Sequence, residues 1–157
     1  MFFEPSQDSQ QADTEDRMPD ARVIAALDEL DIRYEYTPGS QQFEVKYWLD
    51  GGRSQTVYIA SRTHWFIGVE LRQIFSVALA SDNPFNSSTA NLLLRENFDL
   101  IHGSWSIFHE PEDKEHFAIF SITAFASVHA ELLLPIIECV AKTADEMEHR
   151  LSGLDEF

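Results

Sequence analysis

Residues 117–151, FAIFSITAFASVHAELLLPIIECVAKTADEMEHRL, decide the fold. Phe117, Ile119, Ser121 and Thr123 alternate with Ala118, Phe120, Ile122 and Ala124, the period of a strand, and then Leu133, Ile136, Ile137, Val140, Ala144, Met147 and Leu151 recur at helical spacing. A helix with one apolar stripe must lay it on another element, and the preceding strand supplies a sheet to cover. The chain is therefore expected to close with a long helix packed on a β-layer. Pro135 predicts either a kink or a separate short turn before the main helix, and Ser127 or His129 is the expected cap. Glu138 with Lys142, and Glu146 with Arg150, place acid before base four residues apart, which marks a solvated helical face.

Working upstream, residues 100–108 and 117–124 read as a hairpin across a charged loop, with a register that pattern does not settle. Asn86, Ser87 and Ser88 offer caps for a middle helix to about residue 97, with Ala90, Leu93 and Leu94 inward and Leu92 flanking. Between residues 65 and 79 the odd positions Trp65, Ile67, Val69, Leu71, Phe75, Val77 and Leu79 are apolar, which predicts one long strand bent at Gly68. Strands at 33–36 and 43–49 flank turn residues around Pro38 and Gly39. Pro19 and Asp20 open a first helix whose stripe is Val23, Ile24, Leu27 and Leu30. The expected class is α+β: a twisted antiparallel sheet with an N-terminal helix, a middle helix and a long C-terminal helix.

Asp50, Gly51 and Gly52 form a hairpin loop whose length can be argued from the faces it joins. A two-residue loop sets Val45 opposite Tyr58. A three-residue loop sets Val45 opposite Val57 and Phe43 opposite Ile59, and so gathers more apolar surface on one face. The second register sends Glu44, Lys46, Trp48, Ser54, Thr56 and Tyr58 to the other face. Trp48 and Tyr58 are then the best partner-binding candidates, because aromatics bring large contact area at low entropic cost. Burial beneath a covering helix is the commoner fate of such a pair, and the reading favours it.

With 157 residues, 44% apolar and 12% aromatic, the chain suits a single domain, residues 19–157, preceded by an arm of residues 1–18 carrying five acids against one base. That arm has too little apolar content to offset ordering entropy and is expected to be flexible. A net charge of −16 argues against nucleic acid and anionic membranes as partners and suits a basic or neutral polypeptide. Cys139 is the sole cysteine, so no internal disulfide or cysteine-based zinc framework is available. Neither a signal-peptide pattern nor a span-length apolar run is present, and a cytoplasmic location is expected.

Three passages carry a family resemblance: residues 23–36, VIAALDELDIRYEY; residues 91–97, NLLLREN, followed by Gly103, Ser104 and Trp105; and residues 141–148, AKTADEME. With this element order, residues 20–151 resemble the type III secretion chaperone-like fold and, within it, the YbjN-type family, named as bacterial sensory transduction regulators. The resemblance implies a small, acidic, often dimeric protein that binds another polypeptide without catalysing a reaction. It transfers no contact residue to this chain.

Chemical motifs are weak beside this. His109 and His116 face each other in one hairpin register, with Glu110, Glu112 and Glu115 near, but the spacing fits no zinc pattern and no metal is expected. Gly103, Ser104, Trp105 and Ser106 lack a nucleophile elbow, and Cys139 falls beside a helical stripe where packing is its usual role. No cofactor and no catalytic residue is assigned. The expected function is a non-enzymatic, chaperone-like hold on a partner's polypeptide segment. The alternatives are a regulator docking a folded partner and a small hydrolase or metal-dependent enzyme whose site leaves no motif. Leu92, Leu93 and Leu94 exceed what one stripe needs, which predicts that the middle helix helps form a homodimer.

Overall fold

The computed structural model describes residues 18–109 and 114–152. Asp20 starts the first helix, α1 (Ala21–Glu29), by accepting the Arg22 N–H on its carboxylate at 2.9 Å, which satisfies a donor that every helix start leaves over. Val23, Ala26 and Leu27 turn inward from it. There follow β1 (Tyr34–Thr37), β2 (Gln42–Trp48), β3 (Ser54–Ala60), β4 (His64–Phe66) and β5 (Val69–Ser81), then α2 (Ser87–Asp99), β6 (Ser104–His109), β7 (His116–Phe125) and α3 (Ala130–Ser152). The strands pair antiparallel in the order β1-β2-β3-β5-β7-β6, and β4 pairs with the start of β5. The protein is thus α+β, one antiparallel sheet with three helices. The residues assigned to the acidic arm lie outside the described ones, apart from Met18.

The three-residue hairpin register is the one adopted: Phe43 stands opposite Ile59 and Val45 opposite Val57. Gly51 and Gly52 turn the chain with φ of 78° and 79°, a region that side chains disfavour. One face of the sheet is sealed. Phe43, Val45, Val57, Ile59, Ile74, Phe120 and Ile122 meet Leu27 of α1, Leu93 of α2, and Leu133, Ile137, Val140 and Ala144 of α3 in a continuous core. Pro135 lies within α3 and not in a separate turn, because Leu133 and Ile137 on either side are both buried and hold that segment helical.

Three expectations are corrected. Residues 65–79 are not one bent strand: Ile67 and Gly68 take φ of 48° and 75°, the geometry of a two-residue reversal, and Trp65 folds back opposite Glu70. The apolar odd positions of β5 from Val69 to Val77 do not face the core, and Leu79 reaches it only because a bulge after Val77 shifts the register. Arg72, Ile74, Ser76 and Ala78 do face it, because Ile74 is held between Ile59 of β3 and Ile122 of β7, both buried. On α2 the inward residue is Leu93 with Leu92 partly buried beside it, and Leu94 is exposed. Arg150 passes over Glu146 and pairs with Glu96 of α2 at 2.9 Å, whereas Lys142 does pair with Glu138.

Candidate functional site

The face of the sheet turned away from the helices is built by strict alternation. β2 contributes Glu44, Lys46 and Trp48, β3 contributes Thr56 and Tyr58, and β5 contributes Leu71, Gln73, Phe75 and Val77. β7 adds Phe117, Ile119, Thr123 and Phe125. Among the described residues no helix lies over this face. Trp48 is 64% exposed, with the Lys46 ammonium 4.6 Å from its ring centre. Its burial beneath a helix, favoured from sequence, is therefore corrected. Tyr58 is half-buried and stacks on Phe75 at 5.1 Å, and burial first, then the nearby Glu44 charge, raises its phenol above the ordinary value.

The two predicted aromatics share a face without meeting. Trp48 stands opposite Ser54 and Tyr58 opposite Glu44, so they lie about 14 Å apart along the pleat. The aromatics missed from sequence are Phe75, under Tyr58, and Phe66, exposed on β4 opposite Val69; Trp65, also exposed, stands opposite Glu70 and so belongs to the other face. A signal was available: β5 carries Val69, Leu71, Phe75 and Val77 at one parity and Ile74 at the other, more apolar surface than a sheet covered on one side needs. Of the three leucines proposed for a dimer, Leu93 is 2% exposed and belongs to the protein's own core. Leu94 is 66% exposed and shares its end of the molecule with Phe98 and Ile101, both almost fully exposed.

Polar residues gather behind the start of α1. Arg72, only 1% exposed, donates to Asp20 at 2.6 Å and to the carbonyls of Ala60 at 2.7 Å and Ala126 at 3.1 Å. Arg22 holds Asp20 on one side and Glu70 on the other, the latter through bonds of 2.6 and 2.8 Å, and Thr63 donates to Glu70 at 2.7 Å. Burial alone would raise the Asp20 carboxyl, but the hydrogen bonds from Arg22 and Arg72 outweigh it and hold the group at about 2. Glu70 is held at about 2 by Arg22 first and Thr63 second. Carboxylates kept ionised by guanidinium groups make poor general acids. This network ties the first helix to β5 and to the ends of β3 and β7.

His109 and His116 stand opposite each other, with ring centres 4.4 Å apart. Glu110 and Glu112 lie outside the described residues. Among the described residues, no three His, Cys, Asp or Glu side chains gather as a metal site. Cys139 is partly buried beside the α3 stripe. No helix of the described residues is long and apolar enough to cross a membrane. Compared with family models, curated proteins and solved structures, the chain matches none.

Proposed function

We propose that this chain is a non-enzymatic, chaperone-like protein of the cytoplasm that holds a polypeptide segment of a partner against the open face of its sheet. One observation carries the reading: a face with Trp48 and Phe66 exposed and a Tyr58–Phe75 stack between them has no helix over it among the described residues. Contiguous exposed apolar surface of this kind marks interaction sites, and aromatic anchors dominate their energetics. The net charge of −16 favours a partner segment with basic residues. The element order is also the one that the YbjN-type resemblance implies, and membership of that family is part of the same proposal. Homodimer formation is proposed through Leu94 together with Phe98 and Ile101, since Leu93 is spent on the core.

The test is affinity capture from native cytoplasm with the intact chain and with a Trp48→Ala, Phe66→Ala double variant. The expected outcome is a captured partner that the double variant loses and whose binding maps to a short segment active as an isolated peptide. A partner that binds only when folded would overturn the polypeptide-holding reading in favour of a regulator that docks a folded protein.

A further inference from the structure

The sheet edge beside β7 changes character along its length. β6 accompanies β7 from His109 opposite His116 only as far as Ser104 opposite Ser121. At Gly103 the chain leaves the ladder with φ of 80°, and a Cβ there would stand 2.6 Å from Cζ of Phe120 and 3.1 Å from Cγ1 of Ile122. The backbone therefore passes directly against the helix-facing side chains of β7. Among the described residues, no strand pairs with that side of β7 from Ile122 to Phe125.

The ladder itself says which groups are left there. The Ala126 N–H donates to the Glu70 carbonyl at 2.9 Å, and residues of an antiparallel strand bond alternately to one neighbour and the other. Ala124 and Ile122 thus bond toward β5. The main-chain groups of Thr123 and the N–H of Phe125 point to the opposite, open side, and the Phe125 carbonyl accepts from the Val128 N–H at 3.1 Å. An unpaired edge of this kind is a template for another extended chain.

Beside this edge lies a groove of about 370 Å³ walled by Ile122, Val128, Leu132, Pro135 and Ile136, with Cys139 at its lining. We infer that the β7 edge and this groove together take an extended partner segment by strand addition, with alternate apolar side chains entering the groove and basic ones between them. The inference rests on the polypeptide-holding reading and assigns it a second place and a chemistry. Backbone donors and acceptors in a row call for a peptide as occupant, and a groove with so little polar wall calls for aliphatic side chains. The charge of the host calls for the basic ones. The chain carries −16, Glu131 stands in the first turn of α3 beside Leu132, and Pro135 has no N–H to give to the Glu131 carbonyl four residues back.

The test uses the full chain and its single thiol, Cys139, as reporter. Maleimide alkylation of Cys139 is timed during titration with a short peptide of alternating valine and lysine. Alkylation is expected to slow by about tenfold at saturation, while a version with central prolines and a valine–glutamate version leave it unchanged. Leu132→Arg, at an exposed position, should lose the protection with an unaltered circular dichroism spectrum, and Trp48→Ala should keep it. No protection at about 1 mM peptide, or equal protection by the proline version, overturns the inference. So does protection that grows with protein concentration alone, which would make a second copy the occupant. If Trp48→Ala and not Leu132→Arg removes protection, this groove is excluded while the open-face reading stands. If partner capture fails while peptide still protects Cys139, the open-face reading falls and the groove stands.

Discussion

On the helix side of the sheet Ile59, Ile74 and Ile122 stand opposite one another across three strands, sealed by side chains of α3. One residue along the same strands, Tyr58 and Phe75 stack beside Ser121 on the other side, with no described helix above them. Both rows are largely apolar, so hydrophobicity alone does not separate them. What separates them is a partner element within the chain. The sealed side carries the folding free energy, and the open side keeps apolar surface available for an external partner.

The strongest way to break this comparison is at the polar anchor of the sealed side. Asp20→Ala leaves the Arg72 guanidinium buried without its countercharge, and urea unfolding should show a loss of about 3–5 kcal/mol. A loss below about 1 kcal/mol would mean that the Arg72 lock does not hold α1 to the sheet. Next, Ile137→Ala opens a cavity at a fully buried position of α3 and is expected to cost about 3 kcal/mol by the same measurement. Gly103→Ala drives a methyl into the Phe120 ring at a backbone angle that alanine disfavours. Thermal unfolding should report a loss of about 2 kcal/mol, and the peptide edge beside β7 should be disturbed with it.

Acid sharpens the same contrast. Asp20 and Glu70 titrate near 2 in the fold against 3.8 and 4.5 for free groups, so their contribution is complete above about pH 4.5 and is lost as pH falls toward 2. Denaturant titrations across that window should show falling stability, with a shallower fall in Glu70→Gln. The smallest effect belongs to the open face. Trp48→Ala should change stability by less than about 0.5 kcal/mol while weakening partner capture, and a larger destabilisation would show that Trp48 serves the fold.

Much of the architecture was legible because local spacing encodes it. The α3 stripe, the Asn86 cap that accepts the Thr89 N–H, and the Val45–Val57 register each follow from neighbours in sequence or from one short loop. The candidate site was legible only in part. Trp48 and Tyr58 were placed on the right face, but whether anything covered that face depends on where three helices pack, and no local pattern records that. The buried Asp145, paired with Arg53 at 2.8 Å, was invisible for the same reason, since its partner lies far away in the chain.

By itself the sequence determined the order and type of the elements apart from β4, and the apolar stripe of α3, because helical and strand periods are properties of consecutive residues. Only the tertiary structure decided which parity of β5 faces inward, that Ile67 and Gly68 reverse the chain, and that β7 beyond Ser121 has an edge with no strand partner among the described residues. Those outcomes turn on which strand pairs with which, and pairing is settled by burial shared among residues distant in the chain, such as Ile59, Ile74 and Ile122.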